Sequence, residues 1–267
     1  MITSHTFEKL AALVKTHSGI HLTEAKRQLV VGRLAKRLRH HNLENFDRYY
    51  EVCTSSPDEL QIMINTITTN ETSFFREQHH FTYMRTHILP HIKTGHLRVW
   101  SAAASIGAEA YSIAMVLDEI LTPHAITWEV IGTDINTDVV DQANEGLFPM
   151  RFAEQIPLEY LKAYCLQGVD THEGEFIIDD YLRSKVHFEV ANLMEPIPND
   201  LGRFDIIFLR NMLIYFDNPA KEHILKNVLK TLKPNGMLFI GHAESIGHLT
   251  DEVTQIKPTI YRKGARS

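Results

Sequence analysis

The spacing of hydrophobic residues changes about a third of the way along the chain. Up to about residue 75, apolar side chains recur every three or four positions, beginning with Phe7, Leu10 and Val14, and this spacing predicts helices. Further helices are predicted after Thr23 as an N-cap, over 46–53 and from Ser56-Pro57. The first part of the chain is therefore predicted to be a small all-helical domain.

From residue 97 onward, short apolar runs alternate with amphipathic helices. Strands are predicted at 97–101, 127–132, 185–191, 204–209, 236–242 and 259–262, and helices at 108–121, 137–146 and 219–232. Strands that alternate with helices form a parallel sheet covered on both faces. The predicted fold class is therefore α/β, with a Rossmann-like doubly wound sheet behind the helical domain.

One stretch of this second part departs from the alternation. The extended runs 164–166 and 176–178 are separated by glycine-bearing turns at Gly168 and Gly174, which predicts an inserted antiparallel β hairpin. The predicted domains are a helical domain at 1–75, a connector helix at 76–96 and an α/β domain at 97–267. The hairpin subdomain is placed at about 160–184 of the last domain.

The composition indicates a cytoplasmic protein. Hydrophobic residues make up 44% of the 267 residues and charged residues 22%, which is typical of soluble globular proteins. The chain has no apolar run of the roughly 18 residues that a membrane span needs. Its first residues lack the basic start and apolar core of a signal peptide. Cys53 and Cys165 have neither the spacing of metal ligands nor that of a disulfide framework, so no metal is expected.

The charge distribution points to an acidic partner rather than to nucleic acid. The net charge is -6, yet residues 22–40 hold six basic side chains and a single acid. Most such runs are ordinary solvated helix faces, but this asymmetry also suits docking to an acidic surface.

Polar residues follow four of the predicted strands, at the edge where doubly wound sheets bind ligands. The loop 101–109 has small residues but not the glycine fingerprint of nicotinamide-dependent enzymes. Asp134 could either bind a ribose diol or serve as the N-cap of the next helix. Asn192 could either bind the edge of an adenine or form a turn. Arg210 and Asn211 interrupt apolar runs, so a functional role is favoured for them.

Several segments resemble one family in particular. The strings 68–77 (TTNETSFFRE), 99–105 (VWSAAAS), 208–216 (FLRNMLIYF), 232–236 (LKPNG) and 241–245 (GHAES) closely resemble the chemotaxis receptor methyltransferase family, CheR. The resemblance covers nearly the whole chain. Ile106, Ala108 and Ala110 depart from the residues usual in that family's first loop.

The resemblance implies a binding site for S-adenosyl-L-methionine, which the reaction converts to S-adenosyl-L-homocysteine. The implied cofactor-binding residues are Asn70, Thr72, Arg76, Ala102, Glu109, Asp134, Asn192, Leu193, Asn211 and Met212. Arg76 and Asn211 are implied as catalytic residues. Arg33, Lys36, Arg37 and Tyr215 are implied as contacts to the substrate protein.

The implied reaction is methyl esterification of glutamate side chains in the cytoplasmic domain of chemoreceptors, for sensory adaptation. The implied enzyme acts as a monomer, and its hairpin is a second candidate contact, for a receptor C-terminal peptide. The alternatives are a methyltransferase for RNA or a small molecule, a nicotinamide-dependent oxidoreductase, and a non-catalytic receptor-binding adaptor. The net negative charge argues against an RNA methyltransferase. The absence of the glycine fingerprint argues against a nicotinamide-dependent oxidoreductase.

Overall fold

The computed structural model describes residues 2–264. Its first part is the predicted all-helical domain, formed by α1 (Ser4–Ser18), α2 (Arg27–His40), α3 (Phe46–Ser55) and α4 (Pro57–Ile67). These four helices enclose one apolar core, in which Leu10, Leu34, Tyr49 and Met63 are fully buried.

Local sequence sets most of the helix starts in this domain. The side chains of Thr3, Asn45 and Ser56 accept hydrogen bonds from the first turns of α1, α3 and α4. The prediction that Thr23 caps α2 is wrong. Its side chain makes no cap bond, because the N–H of Lys26 bonds the Thr23 carbonyl (2.9 Å) in a separate 3₁₀ turn, and α2 begins only at Arg27.

The predicted connector helix is shorter and less regular than the sequence suggested. Helix α5 (His79–Tyr83) continues into a π turn (Met84–Ile88) and ends in a 3₁₀ turn (Leu89–His91). Pro90 lies in the last turn and has no backbone N–H to extend the helical ladder, so regular helix does not reach residue 96.

The rest of the chain forms two sheets and their covering helices. The strands are β1 (His96–Ala102), β2 (Thr127–Asp134), β3 (Leu147–Pro149), β4 (Cys165–Gln167), β5 (Glu175–Ile178), β6 (Val186–Val190), β7 (Phe204–Leu209), β8 (Leu232–Ile240), β9 (Val253–Lys257) and β10 (Ile260–Lys263). The helices are α6 (Ala108–Leu121), α7 (Thr137–Glu145), α8 (Leu158–Tyr164), α9 (Asp180–Arg183) and α10 (Asn218–Thr231).

The large sheet confirms the predicted doubly wound fold. Its strand order is β6-β2-β1-β7-β8-β10-β9, with the first five strands parallel and the last two joined antiparallel. Alternate side chains of β1 enter different cores, Val99 on one face of the sheet and Trp100 on the other. Strand β9 escaped prediction because it is an edge strand whose side chains are mostly exposed.

The predicted hairpin forms part of a three-stranded antiparallel sheet of order β3-β5-β4. Strand β3, which was not predicted, has only three residues and precedes the predicted insert. Phe148 on β3 stacks on Phe176 on β5, with ring centroids 5.6 Å apart. Phe74 packs edge-on against Phe148 at 4.9 Å, so the segment that joins the two domains is anchored in this small sheet.

A buried ion pair ties three helices of the N-terminal domain together. The carboxylate of Glu59 accepts bonds from Arg37 Nε (2.8 Å) and Tyr49 Oη (2.9 Å), and contacts His41 Nε2 at 2.9 Å. Burial would raise the pKa of Glu59, but these donors outweigh it and lower the pKa to about 2.

We predict that Glu59→Gln lowers the free energy of unfolding by roughly 2–3 kcal/mol at pH 7, because the Arg37 guanidinium loses its buried partner. The folded pKa lies below the unfolded value of about 4.3, so this stabilisation is complete above pH ~4.5 and disappears as the pH falls towards 2. Urea unfolding across this pH range measures the difference between the two proteins. The exposed Glu44→Gln is the matched control, and an equal loss in both variants would contradict the role of the pair.

Candidate active site

A cavity of about 320 Å³ opens at the carboxyl edge of the large sheet. Its walls come from the ends of β1, β2 and β7, from the start of α2, and from residues 68–78, which we call the linking loop. Small-molecule sites usually measure ~300–1,000 Å³. A smaller adjoining cavity of about 50 Å³ extends along the end of β6. The two cavities share Ala103, Asp134, Met212 and Phe216 among their lining residues.

Asp134, the last residue of β2, fixes the loop that follows β1. Its carboxylate accepts hydrogen bonds from the backbone N–H groups of Ser105 (2.9 Å) and Asn136 (3.0 Å). Burial raises the pKa of Asp134, and these backbone donors oppose the shift. A carboxylate has about four acceptor positions, and these backbone donors leave room for a ligand such as a ribose diol.

The backbone of the loop after β1 lies at the wall of the cavity. Ala103 and Ser105 have left-handed φ values of 66° and 52°, and Gly107 follows at 87°. A Cβ atom on Gly107 would lie 2.8 Å from the Phe188 ring, so only glycine fits there. The Ser105 hydroxyl donates to the Asn70 carbonyl (2.9 Å), which joins this loop to the linking loop.

Arg210 carries the largest set of polar contacts at the site. Its side chain is only 1% exposed. Nη1 donates to Glu109 Oε2 (2.8 Å), and Nη2 donates to the Arg76 carbonyl (2.5 Å) and lies 3.3 Å from Glu77 Oε2. Glu109 Oε1 accepts a further bond from Ser101 Oγ (2.7 Å). One guanidinium thus connects β7, the first turn of α6 and the linking loop.

Asn211 lies beside this ion cluster in a left-handed conformation, with φ 55°. Its side-chain amide donates to Glu77 Oε1 (3.1 Å), and its backbone N–H donates to Glu244 Oε2 (2.9 Å). Burial raises the pKa of Glu244, and several backbone N–H groups, including that of Gly241 (2.7 Å), oppose it. The loop after β7 is therefore fixed from both sides.

The structure brings most of the implied cofactor residues to the cavities. Asn70, Thr72, Arg76, Glu109, Asp134, Asn211 and Met212 line the larger cavity, while Asn192 and Leu193 line the smaller one. Ala102 does not reach the cavity. Its side chain is 1% exposed within the core, and its neighbour Ala103 takes the lining position.

The implied substrate residues are divided between the cavity and the helical domain. Tyr215 lines the cavity wall. Arg33 instead donates to the Thr68 carbonyl (3.0 Å) and to Thr69 Oγ1 (3.2 Å), and Arg37 is paired with Glu59. Both guanidinium groups therefore have partners within the chain, and Lys36 is the exposed cation of the three.

The sequence analysis missed several residues of the site. Ser105 and Glu77 stand at the ends of two of the resembling strings, but neither was assigned a role, because their roles depend on partners distant in sequence. Lys26 enters the cavity wall from the helical domain, with its ammonium 5.3 Å from the centre of the Tyr215 ring. Arg210 was noted as hard to bury without partners, but those partners could not be identified from the sequence.

The donors and acceptors of the cavity suit a nucleoside that carries an amino acid. Asp134 and Glu109 offer carboxylates to a ribose diol and to a cationic group, and Arg76 offers a cation to a carboxylate. The small side chain of Ala103 allows a ligand to approach the backbone closely. Across residues 2–264, no helix is both long and apolar enough to cross a membrane.

Comparison with known proteins agrees with this description. The family model for the CheR methyltransferase all-alpha domain matches residues 5–68, and the model for the CheR methyltransferase SAM binding domain matches residues 70–262. A chemotaxis protein methyltransferase of Salmonella typhimurium is 38% identical over 96% of this chain and 88% of its own length. Chemotaxis protein methyltransferase 2 of Pseudomonas aeruginosa is 37% identical over 97% of this chain and 93% of its own length.

A more distant relative also matches this chain over nearly its whole length. The chemotaxis protein methyltransferase of Borreliella burgdorferi is 32% identical over 98% of this chain and 95% of its own length. Both domains and nearly the full length of these relatives are therefore represented here. The chain belongs to the CheR methyltransferase family and is an S-adenosylmethionine-dependent methyltransferase.

Proposed function

We propose that this enzyme methylates glutamate side chains of chemoreceptors. The observation that carries the proposal is the arrangement of the cavity. Residues implied to bind the cofactor line the cavity at the sheet edge, while Lys26, Arg76 and Tyr215 line it beside the helical domain. A cationic rim of this kind attracts a side-chain carboxylate, and the relatives are named as chemotaxis protein methyltransferases.

The proposed reaction requires alignment rather than proton transfer. A glutamate carboxylate has a pKa of about 4.3 and is already a nucleophile at neutral pH. S-adenosylmethionine supplies an activated methyl group on a sulfonium. A new C–O bond forms as the C–S bond breaks, which gives a methyl ester and S-adenosylhomocysteine without a catalytic base. Orientation of the two reactants can supply several kcal/mol, up to roughly 7–11 in ideal cases.

We expect the purified enzyme to transfer labelled methyl from S-adenosylmethionine to the cytoplasmic domain of a chemoreceptor. The product should release labelled methanol in mild alkali, because esters hydrolyse there whereas methylated amines do not. A receptor domain with its glutamates replaced by glutamines is the matched control. Alkali-stable label, or equal label on the control, would count against glutamate esterification.

Arg76 is proposed to orient the incoming carboxylate. Among the described residues, the only hydrogen bond of its side chain runs from Nη1 to the Glu71 carbonyl (3.0 Å), so most of its five donors are available to a substrate. A guanidinium can hold a carboxylate through two parallel bonds, which a lysine ammonium cannot do.

We predict that Arg76→Ala lowers the rate of methyl transfer at least a hundredfold, and that Arg76→Lys recovers only part of it. The melting temperature should change little, because the side chain is partly exposed. Single-turnover methyl transfer and thermal unfolding measure the two effects. Wild-type turnover in the alanine variant would remove Arg76 from the mechanism.

The exposed basic side of α2 is proposed to dock the receptor. Arg33 and Arg37 are bonded to partners within the chain. Of the residues expected to contact the substrate protein, Lys36 therefore remains on this helix, together with the neighbouring exposed Arg39. Exposed charges of this kind act mainly through the association rate and are screened by salt.

We predict that Lys36→Glu raises the KM for the receptor domain several-fold at low salt, and that the difference shrinks at high salt. Affinity for S-adenosylmethionine should remain unchanged, because Lys36 lies outside the cavity. Lys93→Glu is the matched control, since this exposed lysine precedes β1 at the opposite edge of the sheet. Identical kinetics for the two variants would contradict docking through α2.

The free edge of the small sheet is proposed as a second receptor contact. Strand β4 is paired on one side only, and Leu166 within it and Val169 just after it are 59% and 70% exposed. An extended receptor tail can add a strand to such an edge. Comparing receptor domains with and without their C-terminal tail in the methylation assay tests this contact.

A further inference from the structure

Three side chains between the linking loop and α5 converge outside the cavity. Glu77, His79 and His80 each place a potential metal-ligand atom within 4.8 Å of the other two. His80 is fully buried, Glu77 is partly buried and His79 is exposed. The methyl-transfer site described above uses neither histidine.

The buried ring of His80 has one nitrogen bonded and the other free. Nε2 lies 2.7 Å from Thr259 Oγ1, and the Thr259 hydroxyl donates to the Pro258 carbonyl at 2.6 Å. Because that hydroxyl hydrogen is committed, we assign the ring hydrogen to Nε2. Nδ1 then carries a lone pair, which has no hydrogen-bond partner among residues 2–264.

Glu77 presents a second free acceptor to the same point. Its Oε1 accepts bonds from Asn211 Nδ2 and from the His242 backbone N–H, both at 3.1 Å. Its Oε2 makes no hydrogen bond within the described part of the chain, although Arg210 Nη2 is 3.3 Å away. This oxygen lies 3.6 Å from His80 Nδ1, so two lone pairs face each other in a buried place. Arg210 compensates the charge of Oε2 from one side, but the buried Nδ1 still has no partner among residues 2–264, which is unfavourable unless a cation also reaches it.

We propose that Glu77, His79 and His80 form a binding site for a divalent transition metal, with Zn²⁺ the best match. Zn²⁺ prefers imidazole and carboxylate ligands at ~2.0–2.2 Å, and ligand atoms around a tetrahedral ion then lie about 3.3 Å apart. Three protein ligands leave the fourth position for water. Exposed His79 provides the path by which the ion enters.

The surroundings of both buried ligands match those of known metal sites. A metal-bound histidine commonly donates its other ring N–H to an oxygen, as His80 does to Thr259, and bound carboxylates are themselves hydrogen-bonded, as Glu77 is to Asn211. These outer contacts fix the ring and the carboxylate before any ion arrives. The sequence analysis expected no metal from the spacing of Cys53 and Cys165, and the proposed site uses neither cysteine.

The proposed ion would also weaken cofactor binding. A cation on Glu77 Oε2 competes with Arg210, whose other contacts hold Glu109 and the Arg76 carbonyl. Glu77 also holds the amide of Asn211, which lines the cavity. Occupancy of the metal site is therefore coupled to the geometry of the methyl-transfer site.

Competition with a chromophoric chelator tests metal binding directly. We expect wild type to bind one Zn²⁺ per chain, and His79→Ala to bind it at least tenfold more weakly. His91→Ala is the matched control, because His91 is also exposed and lies beyond α5. The idea is overturned if wild type and His79→Ala bind Zn²⁺ equally, or if His91→Ala loses as much affinity as His79→Ala. Co²⁺ should give the visible spectrum of a tetrahedral site in wild type and in His91→Ala, but not in His79→Ala.

Calorimetry with S-adenosylmethionine tests the coupling. Without metal, wild type and His79→Ala should bind it equally, since His79 does not line the cavity. Saturating Zn²⁺ should weaken binding several-fold in wild type and much less in His79→Ala. If Zn²⁺ weakened S-adenosylmethionine binding equally in both proteins, coupling between the metal site and the cofactor site would be contradicted. The chelator measurement would still decide whether the metal site exists.

Discussion

The architecture of the site depends on one buried guanidinium. Arg210 is 1% exposed, and it can be accommodated there only because Glu109, Glu77 and the Arg76 carbonyl surround it. Removing one partner of a buried ion pair typically costs ~3–5 kcal/mol. The end of β7, the first turn of α6 and the linking loop are therefore held in one relative position. A cofactor enters a cavity whose charged walls are already in place, so little reorganisation is needed on binding.

Backbone strain is concentrated around this cation. Phe75, Glu77, Ala103, Ser105 and Asn211 all have left-handed φ values although none is glycine. Each such residue costs of order 1 kcal/mol or more and persists only where surrounding contacts fix it. Here the contacts are visible: Phe75 N–H bonds Ser112 Oγ (3.0 Å), and the N–H groups of Ser105 and Asn211 bond buried carboxylates. The strained turns aim backbone and side chains at the cavity.

The helical domain forms one wall of the site. Asn65 in α4 donates to Thr137 Oγ1 (2.7 Å) and Asp138 (3.0 Å) at the start of α7, and Arg33 fixes the start of the linking loop. The backbone N–H of His21 bonds the Tyr215 carbonyl (2.9 Å) on the opposite side of the cavity. Substrate docking on α2 would therefore be transmitted through rigid contacts to the residues that line the cavity.

The sequence by itself determined the alternating strands and helices, the separate helical domain and the edge of the sheet at which ligands bind, because periodicity and strand order are local properties of the chain. It also made Asp134, Asn192 and Asn211 candidate ligand-binding residues through their positions after strands, while the family resemblance implied others, such as Asn70 and Glu109. Only the tertiary structure decided that Arg33 and Arg37 are bonded internally, that Ala103 replaces Ala102 at the cavity, and that Glu77 faces His80. Those outcomes depend on partners far apart in sequence, and hydrophobic spacing holds no information about which distant polar groups will meet.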